Sequence, residues 1–299
     1  MPLTDDVRAA AASVAARARH VRIAADAIER YAETIPAETP PAPDLEGATL
    51  EERAAFSLTL NAINFGSGWF PTLRKPAGLS GFRTVEAGLR ARGPWTAAEL
   101  IAIETPAVAA AFGQDPAHEL MALFTRALRE LGDRVTVEYF GRFLGLVRSA
   151  EGSAERLAET LARWPTWHDV SGHDGRRVPF FKRAQIAAAD LHLAGIAPAG
   201  DVGRLTLFAD NLVPHVLRLD GVLEFDERLV ARIEAGLLLE HGSPEEVEIR
   251  ACALHAVELL VAAHPEPTTA TAVDNVLWHR GGEPRYKSRP RHRAPTTAY

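Results

Sequence analysis

Two aspartates stand where an acidic residue is unusual and could carry acid–base chemistry. Asp210 interrupts the apolar run LTLFADNLVPHVLR, residues 205–218. Asp274 precedes Trp278 by four positions, so on a helix the carboxylate and the indole would share one face. Asp210 could instead cap the following turn, and Asp274 could be a surface residue beside a core tryptophan. The residues alone leave these alternatives open.

A pair of cations follows a pair of phenylalanines in VPFFKRAQIAAADLH, residues 178–192. Pro179 suits a helix start, which places Lys182 and Arg183 in the first turn, where their charges oppose the helix dipole. A bound anion would offset that mismatch. The alternative is that both side chains are solvated surface charges.

Aromatic residues lie among glycines in NAINFGSGWFP, residues 61–71. Glycine allows a loop to approach a ligand closely, and the faces of Phe65 and Trp69 could stack on a flat ring. A hydrophobic plug beneath a turn would have the same composition. This segment is therefore a candidate binding wall.

Helix signals dominate the elements that must position these groups. They predict an all-α fold, with at most one or two short strands in the irregular stretches 64–84 and 284–299. A stripe of apolar residues predicts one helix that Thr4 caps and that reaches about Glu33. The members of the stripe, seven positions apart, are Val7, Val14, Val21 and Ile28.

Capping signals mark further helix boundaries. Asp115 with Pro116 predicts a helix start, and Gly132 fits that helix's end. Helices are also expected over 179–194, 203–219, 226–236 and 270–279. The capping residues are Ser153 and the pairs Thr49–Glu52, Thr96–Glu99 and Ser243–Glu246.

The domain organisation is expected to be simple. The proline-rich stretch 34–47 is predicted to be a linker, and residues 1–299 to form one helical unit, either undivided or in two lobes. The basic segment 285–299 is poor in helix formers, so its plainest interpretation is a disordered tail.

Composition excludes several classes of protein. The net charge of −6 over 299 residues disfavours a surface that coats nucleic acid, and the single Cys252 cannot form an internal disulfide or a multi-cysteine metal site. Neither a signal peptide nor a membrane-spanning run is apparent, so we expect a cytoplasmic location. Phosphate-binding, dinucleotide-binding, zinc-protease and nucleophile-elbow motifs are missing as well.

Taken in order, the unusual segments resemble the queuosine salvage protein family, the queuosine 5′-phosphate N-glycosylases. The resemblance extends from about Val21 to the end of the sequence. It rests on the ordered strings NFGSGW, FFKRAQI, LTLFADNLVPHVLR, EEVEIRACALHAVELL and VDNVLW, and on an arginine-containing end that closes on Tyr299.

The resemblance implies a mainly helical fold related to the helix-hairpin-helix DNA glycosylases. It implies hydrolysis of queuosine 5′-monophosphate to free queuine for reuse in transfer RNA, with no metal or organic cofactor. The implied partners are this nucleotide and its base, without direct nucleic-acid or membrane binding, and a monomer is favoured.

Residue roles follow from that implied reaction. Asp210 would face the ribose and Asp274 would read the base, although the two roles could be exchanged. Lys182 is a candidate for the phosphate or ribose, or for pairing with a catalytic aspartate. The other implied substrate-binding residues are Phe65, Trp69, Phe181, Arg183, Trp278, His292, Arg293 and Tyr299.

Two other functions remain open at this point. A DNA-repair glycosylase of the same broad fold would share the aspartate and the sugar chemistry, but the acidic net charge stands against it. A non-catalytic helical scaffold would need only ordinary caps and apolar stripes. It would leave the order of the unusual segments without an explanation.

Overall fold

A computed structural model describes residues 2–37 and 41–299, and these are mainly helical, as predicted. The helices are α1 (Leu3–Ala15), α2 (Ala25–Ala32), α3 (Leu50–Ala62), α4 (Gly81–Arg92), α5 (Ala97–Ala102), α6 (Thr105–Ala111), α7 (Glu119–Tyr139), α8 (Phe143–Ser149), α9 (Ala154–Ala162), α10 (Lys182–Leu193), α11 (Val213–Leu219), α12 (Glu227–Glu234), α13 (Pro244–Ala263), α14 (Ala270–Arg280) and α15 (Pro284–Lys287).

Four short strands form two antiparallel pairs in the described residues. Strand β1 (Val21–Ile23) pairs with β4 (Leu223–Phe225), and β2 (Val170–His173) pairs with β3 (Arg176–Pro179). The prediction that any strands would lie in 64–84 or 284–299 is therefore wrong. Strands of three or four residues are too short to show a clear alternating pattern.

The predicted caps mostly act as expected. Complete capping boxes join Thr49 to Glu52 and Thr96 to Glu99, and Ser153 caps α9. Ser243 caps α13, but the carboxylate of its partner Glu246 accepts from Gly242 N at 3.0 Å instead of closing the box. Each such cap contributes about 1 kcal/mol to stability.

The expected single helix from Thr4 to Glu33 is wrong. Helix α1 ends at Ala15, and β1 and α2 follow. The chain turns away because the buried Glu248 carboxylate accepts from the backbone N–H groups of Arg19 and His20, at 2.9 and 2.7 Å. Thr4 is not a cap either, since it lies buried inside α1 with its hydroxyl 2.7 Å from Glu155 Oε1.

Two further boundary predictions are also corrected. The helix expected to start at Asp115 begins at Glu119, and Gly132 lies inside it rather than at its end. A Cβ on Gly132 would lie 2.7 Å from Leu100 Cβ, so this glycine allows α7 and α5 to pack closely. In the stretch 203–219, only α11 forms an α-helix.

Helix α13 is the central element of the core. Buried residues cover nearly its whole circumference, and it packs against α1, α2, α11 and α14. Its buried residues belong to one continuous apolar cluster that extends from Leu3 to Tyr286. This packing holds α11 and α14 in position, and the loops next to them are held with them.

The basic segment 285–299 packs against the body, so its interpretation as a disordered tail is wrong. Its side chains His292, Ala294, Thr296 and Tyr299 are buried. Of the predicted linker 34–47, residues 38–40 lie outside the described residues. No helix in the described part of the chain is both long enough and apolar enough to cross a membrane.

Candidate active site

Five segments meet around one cavity of about 360 Å³, a volume typical of small-molecule sites. They are residues 64–83, the start of α10, the extended stretch before α11, the end of α14 and the basic segment 285–299. The predicted residues that line it are Phe65, Lys182, Asp210, Asp274, Trp278 and Tyr299. Six of the eleven site residues predicted from the sequence therefore line one cavity.

Asp210 is positioned by the turn that opens α11. Its Oδ1 atom accepts from the backbone N–H groups of Leu212 and Val213, at 2.7 and 3.3 Å. The side chain is therefore a local cap, as one alternative held, and it also lines the cavity. The capping contacts fix the orientation of the carboxylate without removing it from the cavity wall.

Asp274 lies on α14 and is only 7% exposed. Its Oδ1 atom accepts from the backbone N–H of Phe208 at 3.3 Å, which ties α14 to the stretch that carries Asp210. Burial, followed by the negative charge of Asp210, raises the pKa of Asp274 well above its usual range. A carboxyl group with a raised pKa can hold a proton and donate it.

Lys182 places a buried ammonium group beside these carboxylates. Its Nζ atom donates to the carbonyl oxygen of Asn64 at 3.0 Å. Burial lowers the pKa of Lys182 to about 8, while the charge of Asp210 opposes that shift. Lys182, Asp210 and Asp274 form what we call the cavity floor, in which the charge of Asp210 raises the pKa of both Lys182 and Asp274.

Aromatic rings form much of the cavity wall. Phe65, Trp278 and Tyr299 were predicted, and Phe70 lies in the predicted binding segment 61–71. Two more rings were missed: Phe82 and Phe208. Phe82 meets Trp278 edge to face, with the ring centroids 6.4 Å apart. Such walls suit a flat ring system.

Three cations that the sequence reasoning missed line the outer part of the cavity. We call Arg83, Lys287 and Arg291 the cavity rim. The Arg83 guanidinium lies 5.1 Å from the Trp278 ring centroid and bonds Glu86 at 2.6 Å. The side chain of Arg291 makes no hydrogen bond within the described residues, and its Nε atom is buried.

Burial lowers the pKa of Arg291, and the charge of Asp210 opposes this shift. A partly buried guanidinium whose Nε atom has no protein partner costs solvation energy, so an anionic ligand would stabilise it. The only sequence signal for this role was the density of basic residues in 285–299.

Two predicted ligands on or next to α10 lie outside the cavity wall. Arg183 is buried, donates to the carbonyl oxygens of Ala62 and Thr166, and packs its guanidinium over the Phe65 ring at 4.9 Å. Phe181 is buried as the left-handed residue that precedes α10, with φ of 51°. Arg183 thus supports the loop that carries Phe65.

Three more candidates also lie away from the cavity. Trp69 donates to Glu119 at 2.8 Å on the opposite side of its loop. His292 is buried, and burial lowers its pKa to about 3. Arg293 is anchored through its carbonyl oxygen, which accepts from Leu239 N at 2.9 Å.

The helical fold presents a cavity that joins two carboxyl groups, a buried amine and aromatic walls, which are the groups that an acid–base enzyme uses. The comparisons with known proteins are specific. Residues 46–299 match the family described as queuosine salvage protein. The chain belongs to the queuosine salvage protein family.

Several relatives are named queuosine 5′-phosphate N-glycosylase/hydrolase. The relative from Sphaerobacter thermophilus is 33% identical over 307 residues, which cover 96% of this chain and 95% of that protein. The relative from Dictyostelium discoideum is 35% identical over 58% of this chain and 57% of its own length. The one from Bos taurus is 35% identical over 45% and 41%, respectively.

Proposed function

We propose that the cavity binds queuosine 5′-monophosphate and hydrolyses its N-glycosidic bond, which releases queuine and ribose 5-phosphate. The observation that carries this proposal is the cavity floor, where Asp210, Asp274 and Lys182 meet beneath aromatic walls. The names of the relatives support the choice of substrate.

Asp210 is proposed to act on the sugar. Cleavage of the bond between the anomeric carbon and the base nitrogen develops positive oxocarbenium character on the ribose. A carboxylate held by two backbone N–H groups can stabilise that charge and accept a proton from the attacking water. The water oxygen then bonds to the anomeric carbon.

Asp274 is proposed to act on the departing base. The electron pair of the broken bond leaves with the base, which needs a proton or strong hydrogen bonds to accept it. The raised pKa of Asp274 keeps a proton available for this purpose. A 7-deazaguanine has carbon where a purine offers a basic ring nitrogen, so this donor would act on the remaining polar atoms.

Lys182 is proposed to stay with the floor rather than to bind the phosphate. Its ammonium group attracts the Asp210 carboxylate, whose charge raises the pKa of the lysine, and its hydrogen bond to the Asn64 carbonyl oxygen fixes its direction. This corresponds to the alternative in which the lysine pairs with a catalytic aspartate.

The 5′-phosphate is proposed to bind at the cavity rim. Arg291 offers a guanidinium without a protein partner in the described residues, and Lys287 offers a second, exposed charge on the same wall. Arginine can bind a phosphate through two parallel hydrogen bonds. The base would then lie among Phe65, Trp278 and Tyr299, with the ribose between base and rim.

A mass-spectrometric assay for free queuine tests the function directly. The purified protein is incubated in parallel with queuosine 5′-monophosphate, with the queuosine nucleoside and with lesion-bearing duplex DNA. We expect queuine from the nucleotide, much less from the nucleoside and no base release from the DNA. Cleavage of the DNA alone would reject the proposal in favour of a repair glycosylase.

Several further properties of the protein are proposed from its sequence and from the family resemblance alone. They are a cytoplasmic location, a monomeric state, one domain, a relation to the helix-hairpin-helix glycosylases, and activity without a cofactor or direct nucleic-acid binding. Arg183, Phe181, Trp69, His292 and Arg293 would contribute to binding only through the segments that they support. Size-exclusion chromatography with light scattering tests the monomeric state.

A further inference from the structure

A buried arginine on α13 lies behind the cavity and takes no part in the chemistry described above. Arg250 is 0% exposed. Its Nη1 and Nη2 atoms donate to Asp169 Oδ1 and Oδ2 at 2.9 and 2.7 Å. This two-point pairing fixes the plane and direction of the guanidinium.

Asp169 in turn accepts hydrogen bonds from the backbone at the start of α10. Its Oδ2 atom also accepts from the backbone N–H of Lys182 at 3.1 Å. Its carbonyl oxygen accepts from the N–H groups of Phe180 and Phe181, at 3.0 and 3.3 Å. The position of Lys182 therefore depends on where Arg250 holds Asp169.

The same guanidinium reaches the opposite side of the cavity floor. Arg250 Nε donates to the carbonyl oxygen of Ala209 at 3.0 Å, and Asp210 is the next residue. The guanidinium carbon also lies 3.9 Å from the Phe180 ring centroid and 4.3 Å from that of Tyr299. One cation therefore contacts the segments that carry Lys182, Asp210 and Tyr299, which are far apart in sequence.

We propose that Arg250 is a positioning residue that sets the spacing between Lys182, Asp210 and the Tyr299 ring. This inference rests on the proposed hydrolysis at the same cavity. No other cationic side chain can reproduce the arrangement, because only a guanidinium offers a planar fork together with a third donor and two stacking faces. The cation organises the floor without touching the substrate.

Arg250→Lys is the first test, with Glu248→Gln as the matched control. Glu248 lies on the same helix, is equally buried and holds a polar network, but it faces Arg19 and His20 rather than the cavity. A small displacement of catalytic groups can cost about 100-fold in rate. We expect Arg250→Lys to lower kcat by about that factor while KM stays within about threefold.

The pH profile supplies a readout that mere destabilisation would not move. The charge of Asp210 raises the pKa of Lys182, which also faces Asp274, Asp169, Asp190 and Arg183. If Arg250 no longer holds the Ala209 carbonyl, Asp210 should move away from Lys182 and the pKa of Lys182 should fall. The decline of kcat at alkaline pH should then begin at a lower pH. At temperatures where it is folded, Glu248→Gln should keep the wild-type kcat and the wild-type decline of kcat at alkaline pH.

A double variant covers the case in which Arg250→Lys does not fold. Asp169→Leu with Arg250→Met replaces the ion pair by apolar side chains, an exchange that often leaves stability unchanged. We expect this variant to fold and to lose kcat to a similar extent. Wild-type kcat and pH profile in either folded variant would overturn the inference, as would an equal loss in Glu248→Gln. Absence of turnover by the unaltered protein would instead reject the proposed function.

Discussion

The cavity floor and the cavity rim carry charges in contrasting surroundings. At the floor, Lys182 is 4% exposed and Asp274 is 7% exposed, and their pKa values shift in opposite directions. At the rim, Arg83 and Lys287 are exposed, and Arg291 is half-buried. Burial at the floor brings protonation equilibria into a range useful for proton transfer, whereas the rim keeps permanent charges that can recognise an anion.

Replacing Asp210, the carboxylate proposed to face the sugar, should lower kcat more than any other change at the floor or the rim. Asp210→Asn retains an oxygen that can accept from Leu212 and Val213, but it cannot take a proton from water. We expect kcat to fall by about 1,000-fold, within the range of general-base contributions. Steady-state release of queuine measures the loss.

The matched control for this variant is Asp226→Asn. Asp226 also caps a helix, with its Oδ1 atom 2.8 Å from Leu229 N, but it lies outside the cavity. If both variants lost activity equally, the effect of Asp210 would be that of a structural cap. We expect Asp226→Asn to retain the wild-type kcat.

The second largest effect should come from the proposed proton donor. Asp274→Asn keeps the shape and can still bond to Phe208, but it has no proton to transfer. We expect kcat to fall by about 100-fold. A substrate whose base leaves more easily should suffer less, and an equal loss for good and poor leaving groups would contradict this role.

A change at the rim should affect recognition rather than chemistry. Arg291→Met should lower kcat/KM for the nucleotide by about 30-fold, since a hydrogen bond to a charged group contributes about 2 kcal/mol. Its activity on the nucleoside should hardly change. Arg289→Met removes a nearby cation that is paired with Glu234 and should behave as wild type; equal losses in both variants would indicate a general electrostatic effect.

The floor should also determine the response to alkaline pH. The ammonium form of Lys182 is present below a pKa of about 8 and is lost above it. If this charge supports catalysis, kcat should decline by about tenfold per unit well above pH 8. Lys182→Arg should shift the decline to higher pH, and an unchanged profile would exclude Lys182 as its cause.

The smallest expected effect concerns stability near the rim. Burial lowers the pKa of His292 to about 3, whereas an unfolded chain protonates histidine near pH 6.5. The unfolded state therefore binds more protons below that pH, so stability should fall as the pH falls. Between pH 7 and 5 this residue should account for about 2 kcal/mol. Denaturant titration of His292→Gln should show a weaker pH dependence than wild type.

The sequence predicted those parts of the fold and site that depend on local order. Capping residues such as Thr49 and Thr96 specify helix starts through contacts three residues apart. Asp210 and Asp274 stood out because an acidic residue in apolar surroundings is visible without a structure. The ordered strings around them identified the family before any distance was known.

What the sequence could not predict depends on long-range contacts. The break after α1 follows from Glu248, which accepts from Arg19 across more than two hundred residues of chain. Within 285–299, Arg291 faces the cavity while the named candidates His292 and Arg293 do not. Contacts of the backbone with Asn211 and Leu239 set that register, and no periodic pattern reports them.

A crystal structure of Asp210→Asn, briefly soaked with queuosine 5′-monophosphate, would test the central claim most directly, since the variant should bind the nucleotide and cleave it only slowly. We predict that the anomeric carbon lies against residue 210, the base beside Asp274, and the phosphate on Arg291. A nucleotide bound with its phosphate at the cavity floor, or bound elsewhere on the protein, would contradict the account.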